Sequence, residues 1–257
     1  MDEFKSGELA VLYDRKGRRY LLTLQEGATF QYHAGIVAHN DILGKSEGEE
    51  IISSLGDKLL VFRPSLEEYI LEMPRGAQVM YAKDCALIGA FADIKPTDRI
   101  VEAGTGSGAL TLFLCRQASQ GVVYTYEIRE DFAKIALRNL ERWGVKNFVL
   151  KIKDVTKEIE ERDVDKVILD LPEPWLALAQ AKEALRPGGF FVSFLPTILQ
   201  VHKLVLALRE VGGFAQIRVQ EAFVRPWVIE ERVARPELRM VAHTGFIVIA
   251  RRLKDKP

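Results

Sequence analysis

Two rhythms of apolar and polar residues divide the chain. Over residues 8 to about 62 the apolar residues come in short alternating runs, "ELAVLYD", "RYLLTL", "QEGATF" and "KLLVFRP", punctuated by "RKGR" and by glycines at 17, 27, 35, 44, 48 and 56. This spacing predicts a small all-β domain over residues 1–64; the competing reading is a strand-rich appendage without a core of its own. "RPSLEEYILEM" then sets Ser65 ahead of two acids and a set of apolar residues at helical spacing. That is the pattern of a capped helix, placed in a connector of residues 65–83 and stopped by Pro74.

From residue 84 to 257 helical and strand patterns alternate. Helices are predicted over "DCALIGAFADI", "GALTLFLCRQA", "REDFAKIALRNLERWG", "LALAQAKEAL" and "TILQVHKLVLALREVG". Between them lie the apolar runs "RIVEAG", "GVVYTYEI", "NFVLKIKD", "VDKVILDL" and, after a turn at "RPGG", "FFVSFLP". Strands this apolar, separated by amphipathic helices, predict a mainly parallel sheet covered on both faces, a doubly wound α/β fold. Two longer strands in the tail, "AQIRVQEAFV" and "HTGFIVIARRL", suit an antiparallel pair at one sheet edge.

Composition adds mostly exclusions. With 257 residues, 48% of them hydrophobic, and 36 basic against 36 acidic residues, the chain reads as a soluble globular protein without a whole-molecule field for nucleic acid. No apolar run approaches the roughly 18 residues of a membrane span, and "MDEFKSGELA" has no signal-peptide core, so the expected location is the cytoplasm. Cys85 and Cys115 lie in apolar helical stretches without a CxxC pair and read as buried free thiols. The four histidines form no HxxxH or HExxH, and no metal site is expected.

The chemistry gathers at the strand ends. "VEAGTGSGAL" places Gly104, Gly106 and Gly108 between a strand and a helix, where backbone amides can approach a ligand closely. Gly104, Thr105, Gly106, Ser107, Gly108 and Leu110 form the candidate cradle. Gly104, Gly106 and Ala109 also satisfy the dinucleotide fingerprint, so the loop alone does not choose a ligand. The acids do more. Glu127, closing the next strand, can accept hydrogen bonds from a ribose diol; Asp154, closing the third, can accept from an adenine amino group; Glu102, two residues before the first glycine, suits a cationic amino group better than a pyrophosphate. No tyrosine has a lysine four residues on, as a short-chain oxidoreductase would require. The combination favours S-adenosylmethionine.

At the fourth strand end, "ILDLPEPW" fixes Asp170 between an apolar strand and a loop stiffened by Pro172 and Pro174, holding the acid toward a substrate. The blander alternative is a turn cap at Asp170 and core packing at Trp175. Further on, Arg225, Arg232, Arg235 and Arg239 surround Trp227, and "RRLKDK" follows, yet Glu230, Glu231 and Glu237 interrupt them. This segment reads equally as a phosphate-binding surface or as a solvated mixed-charge face.

Taken in order, "FRPSLEEYILEMPR", "YAKD", "VEAGTGSGALTLFL", "DLPEPW" and "HTGF" make the chain resemble the TrmI-type tRNA (adenine-N1)-methyltransferases over nearly its whole length. The resemblance implies a Rossmann-like class I methyltransferase domain of seven strands behind a small β domain, a homotetramer, and methylation of the T-loop adenine at tRNA position 58, with position 57 added in some archaeal members. "YAKD" departs from the commoner "YPKD", and the two cysteines do not support the intersubunit disulfides of some thermophilic members. In this reading Asp170 accepts from the adenine N6 amino group as charge develops there, and also borders the cofactor; Tyr81, matching the motif's tyrosine, packs on the flipped base. Two other functions remain open to the sequence: a non-catalytic RNA-binding subunit of the same fold, and a methyltransferase for small molecules or proteins.

Overall fold

A computed structural model describes residues 3–76 and 78–255. The chain divides after Pro74 into two compact units. In the first, β1 (Leu9–Asp14), β2 (Arg19–Thr23), β5 (Glu50–Ile52) and β6 (Lys58–Phe62) form a four-stranded antiparallel sheet in the order β2-β1-β6-β5, beside a hairpin of β3 (Thr29–Tyr32) and β4 (Gly35–Ala38). Phe4, Leu12, Leu24, Val37, Ile42, Ile51 and Leu59 enclose a core that belongs to this unit alone, which rules out the coreless appendage.

The helix predicted for the connector, α1 (Leu66–Glu72), lies within this first unit. Its Ser65 hydroxyl accepts from the Glu68 amide at 3.2 Å, and the Glu68 carboxylate accepts from the Ser65 amide at 2.6 Å, a reciprocal capping box. The Tyr13 hydroxyl also bonds Glu68, and Arg19 lies 3.5 Å from Glu72, so the helix is tied to β1 and β2.

The second unit contains α2 (Ala82–Phe91), β7 (Arg99–Ala103), α3 (Ala109–Gln117), β8 (Val122–Glu127), α4 (Glu130–Trp143), β9 (Phe148–Ile152), β10 (Val164–Leu169), α5 (Leu178–Ala184), β11 (Leu185–Leu195), α6 (Ile198–Val211), β12 (Phe214–Glu221), β13 (Trp227–Glu230), β14 (Val233–Pro236) and β15 (Phe246–Arg252). Its seven-stranded sheet runs β12-β15-β11-β10-β7-β8-β9. The strands β9, β8, β7, β10 and β11 are parallel, while β15 pairs antiparallel with both β11 and β12, as the tail pattern predicts. The order reverses between β7 and β10, which opens a crevice above their carboxyl ends.

Strand alternation decides what faces each side of that crevice. Val101, Ala103, Val167 and Leu169 join the core beneath α5 and α6, whereas Ile100 and Ile168 join the core beneath α2 and α3. With a side-chain period of two, Glu102 faces α2 and α3 together with Ile100. Both cysteines are free and buried in or beside this second core.

Two features differ from the sequence reading. "RPGG" does not separate a helix from a strand: β11 begins at Leu185 and passes through it, with a register shift against β10 and Gly188 at φ +79°. The glycine allows a bulge where the pattern suggests a turn. The arginine-rich segment is exposed, as a surface face would be, and within it β13 and β14 pair into a hairpin closed by the Glu237 amide bonding the Pro226 carbonyl at 3.0 Å. Its short strands alternate too weakly, among scattered charges, to be read as a hairpin beforehand.

Candidate functional site

The glycine loop and the end of β10 meet at the crevice by direct backbone contact. The Asp170 amide donates to the Ala103 carbonyl at 2.9 Å, extending the β7–β10 ladder by one bond. Gly104, at φ +91°, lies so close that a Cβ built on it would stand 2.1 Å from the Asp170 carbonyl oxygen. Its amide bonds the Tyr126 carbonyl at 3.0 Å, which anchors the loop to β8. Gly108 caps α3 in the left-handed region, and behind it the Asn139 amide group donates to the Ser107 carbonyl at 2.9 Å. Thr105 is buried, its hydroxyl 2.6 Å from that of Thr125. A Cβ built on Gly106 would meet only the Gly104 carbonyl oxygen, at 3.8 Å.

A cavity of about 230 Å³ opens beside this loop, lined by Gly104, Glu127, Ile128, Asp154, Leu171 and Leu176 among others. Apolar walls with acids at the rim suit a flat heteroaromatic ring carrying polar edges. Glu127 accepts from the Gly106 amide through Oε2 and from the Arg129 amide through Oε1, both at 3.0 Å. Each oxygen keeps a second lone pair for a ligand hydroxyl. Asp154 is held in place by the Thr156 amide and hydroxyl at 2.9 and 2.7 Å, and these bonds keep its carboxyl below the usual carboxylate range.

Glu102 lies deeper, fully buried under the loop. The Thr111 hydroxyl donates to its Oε2 at 2.7 Å, while Oε1 has no hydrogen-bond partner among the described residues. Burial pushes its carboxyl up to about 8, although Thr111 and Thr125 act in the opposite direction. A fully enclosed carboxyl with one empty acceptor is well placed to pair with an ammonium group. With the glycine cradle and the lined cavity, it makes the residues present a fit for S-adenosylmethionine.

Asp170 sits at the mouth. Asp170 is exposed, and the protein around it partly desolvates its carboxyl, pushing it up to about 7. Water entering the open side supports the charged form, so the concave setting acts less strongly than complete burial would.

The structure brings Gly104, Glu127 and Asp154 into the cavity wall, with Asp170 immediately before its Leu171–Glu173 face. It places other candidates elsewhere. Leu110 packs its side chain into the α2–α3 core, leaving only its first-turn amide toward the loop. Tyr81 stands at the N-cap of α2, half-buried and outside that cavity wall, its carbonyl accepting from the Asp84 and Cys85 amides. Ile128, Val155, Leu171 and Leu176 escape the sequence reading, although the first three directly follow the acids that mark the strand ends.

The "YAKD" lysine and the "HTGF" histidine fasten the segment that carries the hairpin. Lys83 bonds Asp84 at 2.7 Å, the Ala222 carbonyl at 3.0 Å and the Thr244 hydroxyl at 2.6 Å. His243 lies 2.7 Å from the Glu221 carboxylate through Nδ1 and 2.7 Å from the Pro196 carbonyl through Nε2. Both neighbours are acceptors, so both ring nitrogens must carry protons for both bonds to form. The Pro196 carbonyl, followed by Glu221, raises the imidazole pKa above its ordinary value.

Two outcomes follow from this geometry. Gly104→Ala must move the Asp170 backbone and also place alanine in the left-handed region; its denaturant midpoint should fall by an amount equivalent to about 3 kcal/mol or more. Gly106→Ala, where a Cβ would make only an ordinary contact, should lose about 1 kcal/mol for its left-handed φ, and a Gly104→Ala protein as stable as Gly106→Ala would contradict the close approach. For His243, the raised folded-state pKa means that both stabilising bonds are in place below about 6.5 and that one of them is lost as pH rises through the raised value. An NMR titration should give a His243 midpoint above 6.5, with amide exchange over residues 222–244 increasing across the same range; a midpoint at or below the ordinary value would refute the doubly bonded imidazolium.

Comparisons with known proteins identify the family. Residues 58–234 match the family model described as the tRNA methyltransferase complex GCD14 subunit, and residues 3–51 match the TrmI-like N-terminal model. The chain is 43% identical over 247 residues to a tRNA (adenine(58)-N(1))-methyltransferase TrmI of Thermus thermophilus, covering 95% of this chain and 96% of the relative. It is 38% identical to the tRNA (adenine(57)-N(1)/adenine(58)-N(1))-methyltransferase TrmI of Methanocaldococcus jannaschii, with 94% of each covered. Among solved structures, a SAM-dependent O-methyltransferase from Thermotoga maritima superposes with a TM-score of 0.94 at 36% identity, covering 100% of this chain and 97% of that one. The tRNA (m1A58) methyltransferase TrmI from Aquifex aeolicus gives 0.86 at 31% identity, covering 99% and 100%. With family models matching residues 3–51 and 58–234 and TrmI relatives 38–43% identical over nearly the whole chain, the chain belongs to the TrmI family of tRNA (adenine-N1)-methyltransferases.

Proposed function

We propose that this chain uses S-adenosylmethionine to methylate N1 of the T-loop adenine at position 58 of tRNA, acting as a homotetramer in the cytoplasm. The observation that carries the reading is Asp170, its backbone fixed against Ala103 and Gly104 beside a cavity lined by Gly104, Glu127 and Asp154, in a chain that also matches the TrmI-like N-terminal model. That domain favours RNA over the small-molecule or protein substrates open to a bare methyltransferase fold. Among the described residues no helix is long and apolar enough to cross a membrane, and no cluster of His, Cys, Asp and Glu is grouped to hold a metal ion.

When bound, S-adenosylmethionine supplies the methyl group on a sulfonium. Glu127 holds the ribose diol, Asp154 accepts from the adenine amino group, Glu102 faces the methionine ammonium, and the loop from Gly104 to Gly108, with the Leu110 amide, approaches the remaining polar groups. N1 of the target base already carries its lone pair, so the protein needs no strong base and works chiefly by positioning. As N1 becomes alkylated, positive charge spreads to N6. Asp170 accepts a hydrogen bond from N6–H and interacts more strongly with that charge than with the neutral base. Because N1 lies on the Watson–Crick edge, the base must leave its stack, and Tyr81 packs against it there. A chain with 36 basic and 36 acidic residues supplies positive surface only locally. A homotetramer would align Arg225, Arg232, Arg235 and Arg239 from more than one copy along one RNA.

The test is nucleoside analysis of unmodified tRNA after incubation with the purified protein and S-adenosylmethionine, combined with mapping of the modified position. The expected product is 1-methyladenosine at position 58; mapping separates it from additional methylation at 57. Cofactor binding and tRNA binding without methylated nucleoside would instead establish the non-catalytic RNA-binding reading.

Asp170→Asn keeps shape and an acceptor oxygen but removes the charge. It should bind S-adenosylmethionine within several-fold of the native protein and lose roughly a hundredfold or more in single-turnover rate, by analogy with removal of one transition-state hydrogen bond. The native single-turnover rate should rise with pH as Asp170 ionises, with a midpoint at or below the free-protein value of about 7 because the cofactor's positive charge favours the carboxylate. This limb should be absent in Asp170→Asn. A near-native rate, or an unchanged pH limb, would assign Asp170 to the turn and not to the chemistry.

A further inference from the structure

Leu171 and Trp175 of the loop bearing Asp170 pack against the core beneath α5 and α6, but the loop makes few backbone hydrogen bonds. Pro172 and Pro174 have no amide hydrogen to donate. Besides the Asp170–Ala103 bond at the loop's start, a short turn bonds the Leu176 amide to the Glu173 carbonyl at 3.1 Å. The intervening chain is gripped from α6. The Gln200 side-chain amide donates to the Pro172 carbonyl at 2.9 Å, and the Lys203 ammonium sits 4.0 Å from the centre of the Trp175 ring.

Gln200 is oriented for this task. At the N-terminus of α6 the Gln200 amide donates to the Thr197 hydroxyl at 3.3 Å, while that hydroxyl donates to Gln200 Oε1 at 2.6 Å. With its oxygen committed to Thr197, the side chain turns its NH₂ to Pro172. Lys203 is three residues further and on the same helical face. Val201 and Leu204 are buried in the core and fix the helix itself.

We infer that Gln200 and Lys203 are positioning residues for Asp170, holding the "LPEPW" loop from α6 so that the carboxylate meets the target base in one orientation. The role in catalysis rests on the proposed function; the clamp itself does not. One donor fixes the loop's carbonyl side and one cation fixes its aromatic end, replacing the amide bonds that the prolines remove. A cation over an indole also has a directional preference that a plain apolar contact lacks.

The test uses Gln200→Leu, Lys203→Met, their combination, and Lys203→Arg in the full chain. In the free protein, hydrogen exchange at the Asp170, Leu171, Glu173 and Leu176 amides should accelerate about tenfold in the double variant while the β7 and β8 amides stay protected. Calorimetric affinity for S-adenosylmethionine should remain within about threefold, and the tRNA concentration for half-saturation should change little, while the single-turnover rate falls about tenfold per substitution. Lys203→Arg should recover most of the rate, since a guanidinium also stacks on indole. Unchanged exchange in the double variant would overturn the clamp. A raised tRNA half-saturation with an unchanged single-turnover rate would make Lys203 an RNA contact and also overturn it. If the native protein leaves tRNA unmethylated, the proposed function fails, and the exchange measurement still decides whether α6 holds the loop.

Discussion

The approach of two backbones, Gly104 of the first strand turn and Asp170 of the fourth, is the constraint on which the site depends. No side chain fits between them, because a Cβ on residue 104 would overlap the Asp170 carbonyl oxygen. The Asp170 amide continues the sheet ladder to Ala103, so the carboxylate inherits the rigidity of a central parallel strand even though it lies outside that strand. The same glycine turns the chain into the loop that ends at the α3 N-terminus. One small residue thus sets the distance between the ligand cradle and the acid.

Around that contact, charge is concentrated where water is scarce. Glu102 lies on the α2–α3 side of the sheet, and Asp84, in the first turn of α2, keeps Oδ2 without a hydrogen-bond partner among the described residues. Burial pushes the neighbouring Cys85 thiol up, with the negative charges of Asp84, Glu102 and Asp170 adding to the effect. Asp170 is exposed, so water limits the desolvation that raises its carboxyl, but Glu102 is fully buried and desolvation raises its carboxyl well above the ordinary range. Such a site is costly to ionise alone and favours a positively charged occupant, which lowers the cost by pairing. Elsewhere on the rim, backbone amides donate to Glu127 and the Thr156 amide and hydroxyl donate to Asp154. The acids at successive strand ends are therefore not equivalent, although the sequence presents them as a series.

The second unit also secures the segment after β12 from two sides. Lys83 reaches Ala222 and Thr244, while His243 joins Glu221 to Pro196. Both attachments begin at residues close to α2 or to the end of β11, so the hairpin segment is tied to the same crevice rim that carries Asp170. Its exposed Trp227, Ile229 and Leu238 remain outside these attachments.

The sequence by itself determined the periodicities, and with them most elements: period two and uninterrupted apolar runs for strands, period 3.6 for helices, a Ser65 cap legible to its Glu68 partner, and an antiparallel pair at the tail. It also marked Gly104, Glu127, Asp154 and Asp170, because strand ends in an open parallel sheet share one rim. What the tertiary structure decided was distance and direction. Leu110 follows the glycines in sequence, yet helical rotation turns its side chain into the core. Glu102 is adjacent to the loop in sequence, yet strand alternation buries it beneath. "RPGG" reads as a turn because glycine and proline are locally turn formers, but pairing with β10 draws it into a bulged strand. Gln200 and Lys203 stand some thirty residues from the loop they grip, and no local pattern encodes a contact made by packing a helix beside a strand end. Local propensity and periodicity act over a few residues; the bonds that aim Asp170 arise only when distant segments share one crevice.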